Sequence, residues 1–126
     1  MANSPSTYST ITPYLIVPDA DAELSFLTTA FGAIEVGVQR NADNTVMHAE
    51  LRIGDSLVML GQSSARWPPQ RAALYLWVDD VDATYAKALQ AGATSESEPE
   101  DKPYGHRNAG VVDRNGVTWW IAAQVR

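Results

Sequence analysis

An internal repeat constrains the fold of this chain more than any other feature of its sequence. A shift of 61 residues aligns the segment PYLIVPDADA at 13–22 with LYLWVDDVDA at 74–83. The same shift places the turn Gly54-Asp55 on Asn115-Gly116. Two copies are too few for a solenoid, which normally needs three or more repeats. The repeat therefore predicts a duplicated module whose two copies pack as a pair.

Each copy contains the same order of predicted elements. A short apolar run, rich in aromatic and β-branched residues, predicts a buried strand. An Asp-x-Asp segment then offers a helix N-cap, which is Asp19 or Asp21 in copy one. Copy two offers Asp80 or Asp82 at the same place. A stretch with helical spacing of apolar residues follows, and extended segments with turn residues between them complete the copy. The order is β-α-β-β-β, twice.

The predicted helices end at glycines, which favour the left-handed conformation of a C-cap. They span Ala20–Phe31 before Gly32 and Val81–Ala91 before Gly92. The strands after the first helix are predicted at 34–39, 45–53 and 56–60. Copy two has a longer polar stretch at 95–103, followed by strands near 107–112 and 117–125.

The size and composition of the chain fit one globular domain. It has 126 residues, of which 45% are hydrophobic and 19% are charged, so it has enough apolar material for a core. We predict a single domain over residues 1–126. Module one covers about 11–62 and module two about 72–124, and a linker containing Trp67-Pro68-Pro69 joins them.

Composition and charge exclude several classes of function. No stretch approaches the roughly 18 uncharged apolar residues of a membrane helix. The first dozen residues lack the basic and apolar blocks of a secretory signal. There is no cysteine, which excludes disulfides and thiolate chemistry, and a formal charge of −6 repels polyanions. We therefore predict a cytoplasmic protein whose partners include neither a membrane nor a nucleic acid.

The tandem order and its residues resemble the glyoxalase I, bleomycin-resistance and extradiol-dioxygenase superfamily, also called the vicinal oxygen chelate fold. Over roughly residues 11–124, the resemblance is carried by PYLIVPDADAELSFLTTAFGAIE, VMHAELRIGDSLVMLG, YLWVDDVDATYAKALQAGA and VVDRNGVTWWIA. It implies an α+β fold of tandem βαβββ modules that form one cup-shaped mixed sheet, with the helices on the outer face. One fold can host many chemistries, so the resemblance specifies the fold and not the activity.

Alternation along the predicted strands selects the side chains that face the cup. In VMHAELRI at 46–53, Met47 and its apolar alternate neighbours are assigned to the helix side, which leaves Val46, His48 and Glu50 on the inner side. The predicted inner surface consists of Tyr14, Ile16, His48, Glu50, Met59, Tyr75, Trp77, Val111 and Trp120.

The usual metal centre of the resembled family is not expected here. Metal-using members place His or Glu at the start of the first strand of each module and Glu near the end of the last strand. The corresponding residues are Thr12 and Ala73 at the strand starts, and Met59 and Trp120 at the strand ends. None of them offers the imidazole nitrogen or carboxylate oxygen that a divalent metal requires. We therefore predict neither a metal nor a cofactor.

His48 and Glu50 point to the same side of one predicted strand, because they lie two residues apart. Three interpretations remain open: hydrogen bonding to a ligand, an incomplete metal site, or a structural role in which the two side chains satisfy each other or Glu50 pairs with Arg52 or Arg107. The only other histidine, His106, falls in a predicted loop. For the inner aromatic residues, ligand stacking, core packing and dimer contact are the alternatives.

These observations lead to the hypothesis of a metal-independent protein that binds or sequesters a small, partly aromatic molecule. An antibiotic-like ligand is what the bleomycin-resistance resemblance implies. No catalytic residue is assigned, and the expected ligand-binding residues are Tyr14, His48, Glu50, Met59, Tyr75, Trp77 and Trp120.

Two other classes of function stay open. One is a glyoxalase-like lyase or isomerase, or a dioxygenase, with a nonstandard site around His48 and Glu50. The other is a domain that mainly dimerises. The family often pairs subunits, and the strands ALYLWV and TWWIAA offer more aromatic surface than one small domain easily covers. A symmetric homodimer is therefore expected in each case.

Overall fold

The computed structural model describes residues 8–125, which form two βαβββ modules. Module one contains β1 (Tyr14–Val17), α1 (Ala20–Phe31), β2 (Ile34–Arg40), β3 (Val46–Ile53) and β4 (Ser56–Gln62). Module two contains β5 (Ala73–Trp77), α2 (Val81–Gln90), β6 (Thr94–Asp101), β7 (His106–Val112) and β8 (Thr118–Gln124). The predicted α+β class and the doubled order are confirmed, while the predicted domain limits at residues 1 and 126 lie outside the described residues.

Each module forms one four-stranded mixed sheet. The strand orders are β1-β4-β3-β2 and β5-β8-β7-β6, and in each sheet the first pair is parallel and the others antiparallel. Tyr14 pairs with Met59, and Tyr75 pairs with Trp120. The sequence repeat therefore persists in the strand register. Within residues 8–125 no strand pairing joins the two sheets, and both β1 and β5 lie at a sheet edge.

The core lies where α1 and α2 pack against each other and against one face of each sheet. Asp19 caps α1 by accepting from the Ala22 amide at 3.1 Å, and Asp80 caps α2 by accepting from the Ala83 amide at 3.0 Å. Gly32 ends α1 in the left-handed region at a φ of 68°, as predicted. Neither helix of the described chain has the length and apolar character needed to cross a bilayer.

A polar joint connects the turn after β7 to the start of α1. The Asn115 side chain accepts from the Asp19 amide at 2.9 Å, and it donates to the Asp19 carbonyl at 2.8 Å and to Glu23 Oε1 at 2.9 Å. Asp113 holds this turn and is itself buried. We call Glu23, Asp113 and Asn115 the inter-module joint, because Glu23 lies in module one and the other two lie in module two.

Three of the face assignments from strand alternation are wrong, those of Val46, Met47 and Val111. Val46 is buried in the core and Met47 is 49% exposed, the reverse of the expectation. The cause is a register shift between Gln39 and Arg40 on the partner strand, which adds one unpaired residue to β3 and reverses the alternation there. Val111, expected on the inner side, is fully buried.

The position of Val111 follows from its strand register. It pairs with Trp119, which is also buried on the helix side. Gly110 pairs with Trp120 and therefore occupies the inner position instead.

The polar stretch predicted before the last strands of copy two contains a strand of its own. β6 pairs antiparallel with β7, with two irregularities in its register. Most of its residues are exposed, so its sequence shows no apolar alternation. β7 begins at His106, which places this histidine on a strand and not in the predicted loop.

Candidate functional site

The inner side chains lie on the sheet faces that point away from the helices. The module-one face carries Tyr14, Ile16, His48, Glu50 and Met59. The module-two face carries Tyr75, Trp77 and Trp120. Tyr75 and Trp77 remain 41% and 55% exposed, which is unusual for core aromatic residues.

A chain of hydrogen bonds crosses the module-one face. The Tyr14 hydroxyl lies 3.3 Å from His48 Nδ1, and His48 Nε2 lies 3.2 Å from Glu50 Oε1. Tyr8 donates its hydroxyl to the other carboxylate oxygen of Glu50. These bonds, that of Tyr8 first and that of His48 second, lower the pKa of Glu50 below its usual value. Glu50 is therefore an oriented, anionic acceptor.

The direction of donation along these hydrogen bonds follows from the ionised carboxylate of Glu50. An ionised Glu50 only accepts, so His48 donates its Nε2–H and a neutral imidazole then accepts at Nδ1 from Tyr14. The alternative in which Glu50 pairs with Arg107 is not what the structure shows, because Arg107 bonds Asp82 at 2.9 Å and Asp101 at 3.1 Å.

A cavity of about 530 Å³ adjoins the module-one face. Tyr14, Ile16, Met47 and Trp67 are among its lining residues. The bulge in β3 exposes Met47 to this cavity, and a turn closed by the Ser64 amide and the Trp67 carbonyl at 2.8 Å positions Trp67. The hydrophobic pattern does not predict the exposure of Met47, because a bulge leaves no signal in it.

An aromatic box occupies the module-two face. His106 Nδ1 lies 2.8 Å from the Tyr75 hydroxyl. The His106 ring packs edge to face against the rings of Trp77 and Tyr104, with centroid distances of 4.7 Å and 5.0 Å. Asn108 donates from Nδ2 to the Tyr75 hydroxyl at 3.1 Å and to the Tyr104 hydroxyl at 2.9 Å. We call Tyr75, Trp77, Tyr104 and His106 the aromatic box.

Sequence reasoning missed His106, Tyr104 and Asn108 as site residues. The repeat does not point to Asn108, because the shift of 61 aligns His48 with Ala109. Only the strand register makes the two positions equivalent, since Asn108 comes one step before Ala109 as His48 comes before Ala49. Tyr14–His48 and Tyr75–Asn108 are thus equivalent contacts in the two modules.

Trp120 lies over a glycine on the same face. A Cβ atom at Gly110 would lie 2.6 Å from Cζ3 of the Trp120 ring. Gly110 pairs with Trp120 as Glu50 pairs with Met59. The indole of module two therefore fills the position that the carboxylate occupies in module one.

Among residues 8–125, Tyr14, Tyr75 and Trp120 line three different cavities. Tyr75 and Trp77 line a cavity of about 430 Å³ beside Pro13 and Leu57, and Trp120 lines a separate depression with Arg71. Hydrogen bonds bring Tyr14, His48 and Glu50 together on the module-one face, whereas Tyr75 and Trp77 pack together on the module-two face.

The described residues provide few metal ligands. Between residues 8 and 125, no three His, Asp or Glu side chains are grouped closely enough to hold a metal ion. His48 and Glu50 are two potential ligands, but each already bonds the other, and Tyr14 and Tyr8 bond them as well.

Comparisons with known proteins identify relatives over nearly the whole chain. A family model described as the Glyoxalase/Bleomycin resistance protein/Dioxygenase superfamily matches residues 9–121. An uncharacterized protein of Mycobacterium bovis is 33% identical over an alignment that covers 92% of this chain and 84% of that protein.

Two solved structures illustrate the similarity of fold. TioX from Micromonospora sp. ML1 is 27% identical, with a TM-score of 0.77 over 91% of this chain and 98% of TioX. TnmS3 from Streptomyces sp. CB03234, described as an antibiotic binding protein, is 22% identical, with a TM-score of 0.73 over 98% of each chain.

Proposed function

We propose, from the premise that the chain belongs to the glyoxalase/bleomycin resistance protein/dioxygenase superfamily, that it binds or sequesters a small, partly aromatic molecule without a metal ion. The observation that carries the proposal is the aromatic box, in which exposed rings are held by hydrogen bonds on a surface outside the core. Ligand sites in general combine apolar and aromatic walls with a few oriented polar groups. TnmS3, an antibiotic binding protein, has the same fold.

The two faces would supply different interactions to such a ligand. Tyr75, Trp77 and Trp120 offer ring faces and edges for stacking against a flat molecule. Glu50 offers an anionic acceptor whose direction is fixed by Tyr8 and His48. A ligand that contacts both faces would be stacked by one and oriented by the other.

Ligand binding is tested by a screen of planar aromatic molecules that monitors tryptophan fluorescence. We expect saturable quenching, and we expect Trp120→Ala to weaken binding by more than the roughly 0.5–1.5 kcal/mol of one stacked pair, because buried contact is lost as well. Glu50→Gln keeps the shape and removes the charge, so it should lower affinity by about 1.5–3 kcal/mol if Glu50 accepts from the ligand. The helix-side control Leu76→Ala should mainly lower stability. Ligands that bind regardless of Trp120, Tyr75 and Glu50 would contradict the proposal.

The metal-independent part has its own test. Added Zn²⁺, Ni²⁺, Mn²⁺ or Fe²⁺ should not raise the melting temperature, because an ion that binds the native state tightly must stabilise it. Protein purified without chelator should contain no stoichiometric divalent ion. A tightly held ion that is lost in His48→Ala would overturn this part and favour an enzyme.

We also propose that the complete site forms in a symmetric homodimer. β1 and β5 are edge strands, and each face of a single chain carries only part of the expected lining. An edge strand with unpaired backbone groups is suited to pairing with another copy. A second copy would then bring a module-two face opposite a module-one face, and two equivalent sites would result.

Sedimentation velocity at micromolar concentration is expected to give a species of two 13.7 kDa chains. Trp77→Lys, on the edge strand β5, should shift the protein toward the monomer, because a charge would be placed in the interface. Ala86→Lys is the matched control, since it adds the same charge at an exposed position of α2, outside both inner sheet faces. A monomeric parent protein would contradict the dimer.

An enzyme remains the second candidate, and the Tyr14–His48–Glu50 chain is the observation that favours it. A hydroxyl, an imidazole and a carboxylate in series can move a proton. If the protein converts its ligand, His48→Gln should abolish turnover and leave binding within a few fold. A ligand recovered unchanged after long incubation would leave sequestration as the function.

A further inference from the structure

We propose that the module-two face is the hydrogen-bond-donating end of the ligand site, where His106 and Tyr104 bind an oxygen acceptor conjugated to a planar ring, such as a quinone or aryl ketone. This inference rests on the proposed ligand-binding function and names the class of ligand. It rests on which group donates in each hydrogen bond of the aromatic box. The orientation of the Asn108 amide determines the other donors.

Asn108 is 2% exposed, so its amide hydrogens must be placed where they find acceptors. In the observed orientation Nδ2 donates both hydrogens, one to Tyr75 and one to Tyr104, and only Oδ1 lacks a partner among the described residues. The reversed amide would instead leave two buried N–H groups without acceptors. The observed orientation leaves fewer groups unsatisfied and is therefore the more stable one.

The remaining protons follow from this orientation. We assign the Tyr75 hydrogen to His106 Nδ1, 2.8 Å away, because the Tyr75 oxygen accepts from Asn108 and no other described group offers this hydrogen an acceptor. A neutral imidazole that accepts at Nδ1 carries its hydrogen at Nε2. Among residues 8–125, no group bonds His106 Nε2, and this atom is not among the buried unsatisfied ones. It is an oriented N–H donor that is open to a ligand.

Tyr104 supplies a second donor beside the first. Its oxygen accepts from Asn108, which leaves its own hydrogen without an acceptor in the part of the chain that the structure describes. Its ring centroid lies 5.0 Å from that of His106, and its side chain is largely exposed. Two donors therefore lie next to each other, and the exposed Trp77 ring, 4.7 Å from the His106 ring between centroids, would stack against the plane of the same ligand.

The module-one face shows why the two ends differ. Tyr14 is bonded to His48 Nδ1 as Tyr75 is bonded to His106 Nδ1, so each module has a Tyr–His pair of the same polarity. In module one, the Nε2–H of His48 is donated to Glu50 Oε1 at 3.2 Å. In module two, no carboxylate among residues 8–125 bonds His106 Nε2. One face thus presents a carboxylate acceptor and the other presents free donors.

The proton assignment can be tested without a ligand. Long-range ¹H–¹⁵N spectra of labelled protein should show the His106 hydrogen on Nε2 in the neutral imidazole. Tyr75→Phe removes the hydroxyl that fixes this tautomer, so the spectrum of this variant should shift toward a mixture of both tautomers. A hydrogen on Nδ1 of His106 in the parent protein would overturn the inference and leave the proposed function untouched.

The ligand class is tested with 1,4-naphthoquinone and naphthalene, which share a ring system and differ in the two carbonyl oxygens. The chain has no cysteine, so thiol addition does not consume the quinone. We expect the quinone to bind about fivefold or more tighter, the range of one or two hydrogen bonds. His106→Phe and Tyr104→Phe should each reduce this preference, with little change for naphthalene. The control Tyr85→Phe loses a hydroxyl bonded to Ser95 outside the box and should keep the preference.

The outcomes separate the two proposals. Equal binding of both probes, or a preference that survives in His106→Phe and Tyr104→Phe, would overturn the donor end while the ligand-binding function stands. Failure of both probes to bind would contradict the proposed function and the ligand class together.

Discussion

Glu23→Gln is expected to raise the melting temperature at pH 8 and to flatten the dependence of stability on pH. Glu23 is 1% exposed in the inter-module joint. Burial, and then the contact with Asp113, raise the pKa of Glu23 to about 9. Between about pH 4.5 and pH 9, the Glu23 carboxyl group keeps its proton in the folded protein and releases it in the unfolded chain. Stability that comes from the proton is therefore complete below about pH 4.5 and is lost as the pH rises toward 9.

The geometry explains why glutamine should fit. Asn115 donates to Glu23 Oε1 at 2.9 Å, whereas Glu23 Oε2 finds no donor among the described residues. A protonated Oε2 can donate to Asp113, whose two oxygens already accept from the Val117 amide and the Trp119 indole at 3.0 Å each. Glutamine would keep the acceptor for Asn115 and replace the titrating hydroxyl by an N–H that is always present. At pH 8 this should be worth about 1–3 kcal/mol.

Thermal unfolding between pH 5 and pH 9 measures this effect. The parent protein should lose stability across this range more steeply than Glu23→Gln. Glu98→Gln, which removes an exposed carboxylate from β6, is the matched control and should follow the parent curve. Parallel curves for the parent and Glu23→Gln would show that Glu23 is ionised in the folded protein, contrary to this account.

The fold was predictable because its determinants are local and occur twice. The caps at Asp19 and Asp80 and the left-handed Gly32 each depend on a few neighbouring residues, so they are readable in sequence. The inner positions of Tyr14 and Tyr75 follow from simple alternation. The repeat then turns each local observation into a prediction for the other module.

The assignments from sequence are wrong where pairing with a neighbouring strand determines the exposure of a side chain or the boundary of a strand. The exposure of Met47 depends on a bulge that only the pairing with β2 creates. The sequence does not predict that His106 begins a strand, because the neighbouring β6 is polar on both faces and the start of β7 therefore has no hydrophobic signal.

Gly110→Ala is expected to destabilise the protein by about 1–3 kcal/mol, the usual cost of overpacking a filled site. A Cβ at Gly110 would lie 2.6 Å from Cζ3 and 2.9 Å from Cε3 of Trp120. Both atoms belong to a rigid indole, so the ring must move as a whole. Chemical denaturation measures the stability, and the wavelength of tryptophan emission should change as the ring is displaced.

Gly37→Ala is the matched control for this substitution. Gly37 also lies within a strand, has no positive φ, and would place its Cβ where no atom lies within 4 Å. It should be neutral or stabilising by a few tenths of a kcal/mol, because alanine restricts the unfolded chain. If both variants were equally stable, Trp120 would not be fixed on Gly110. A loss of both stability and ligand affinity in Gly110→Ala alone would show that the glycine is required. Its role would be to leave room for the Trp120 indole at the position where module one has Glu50.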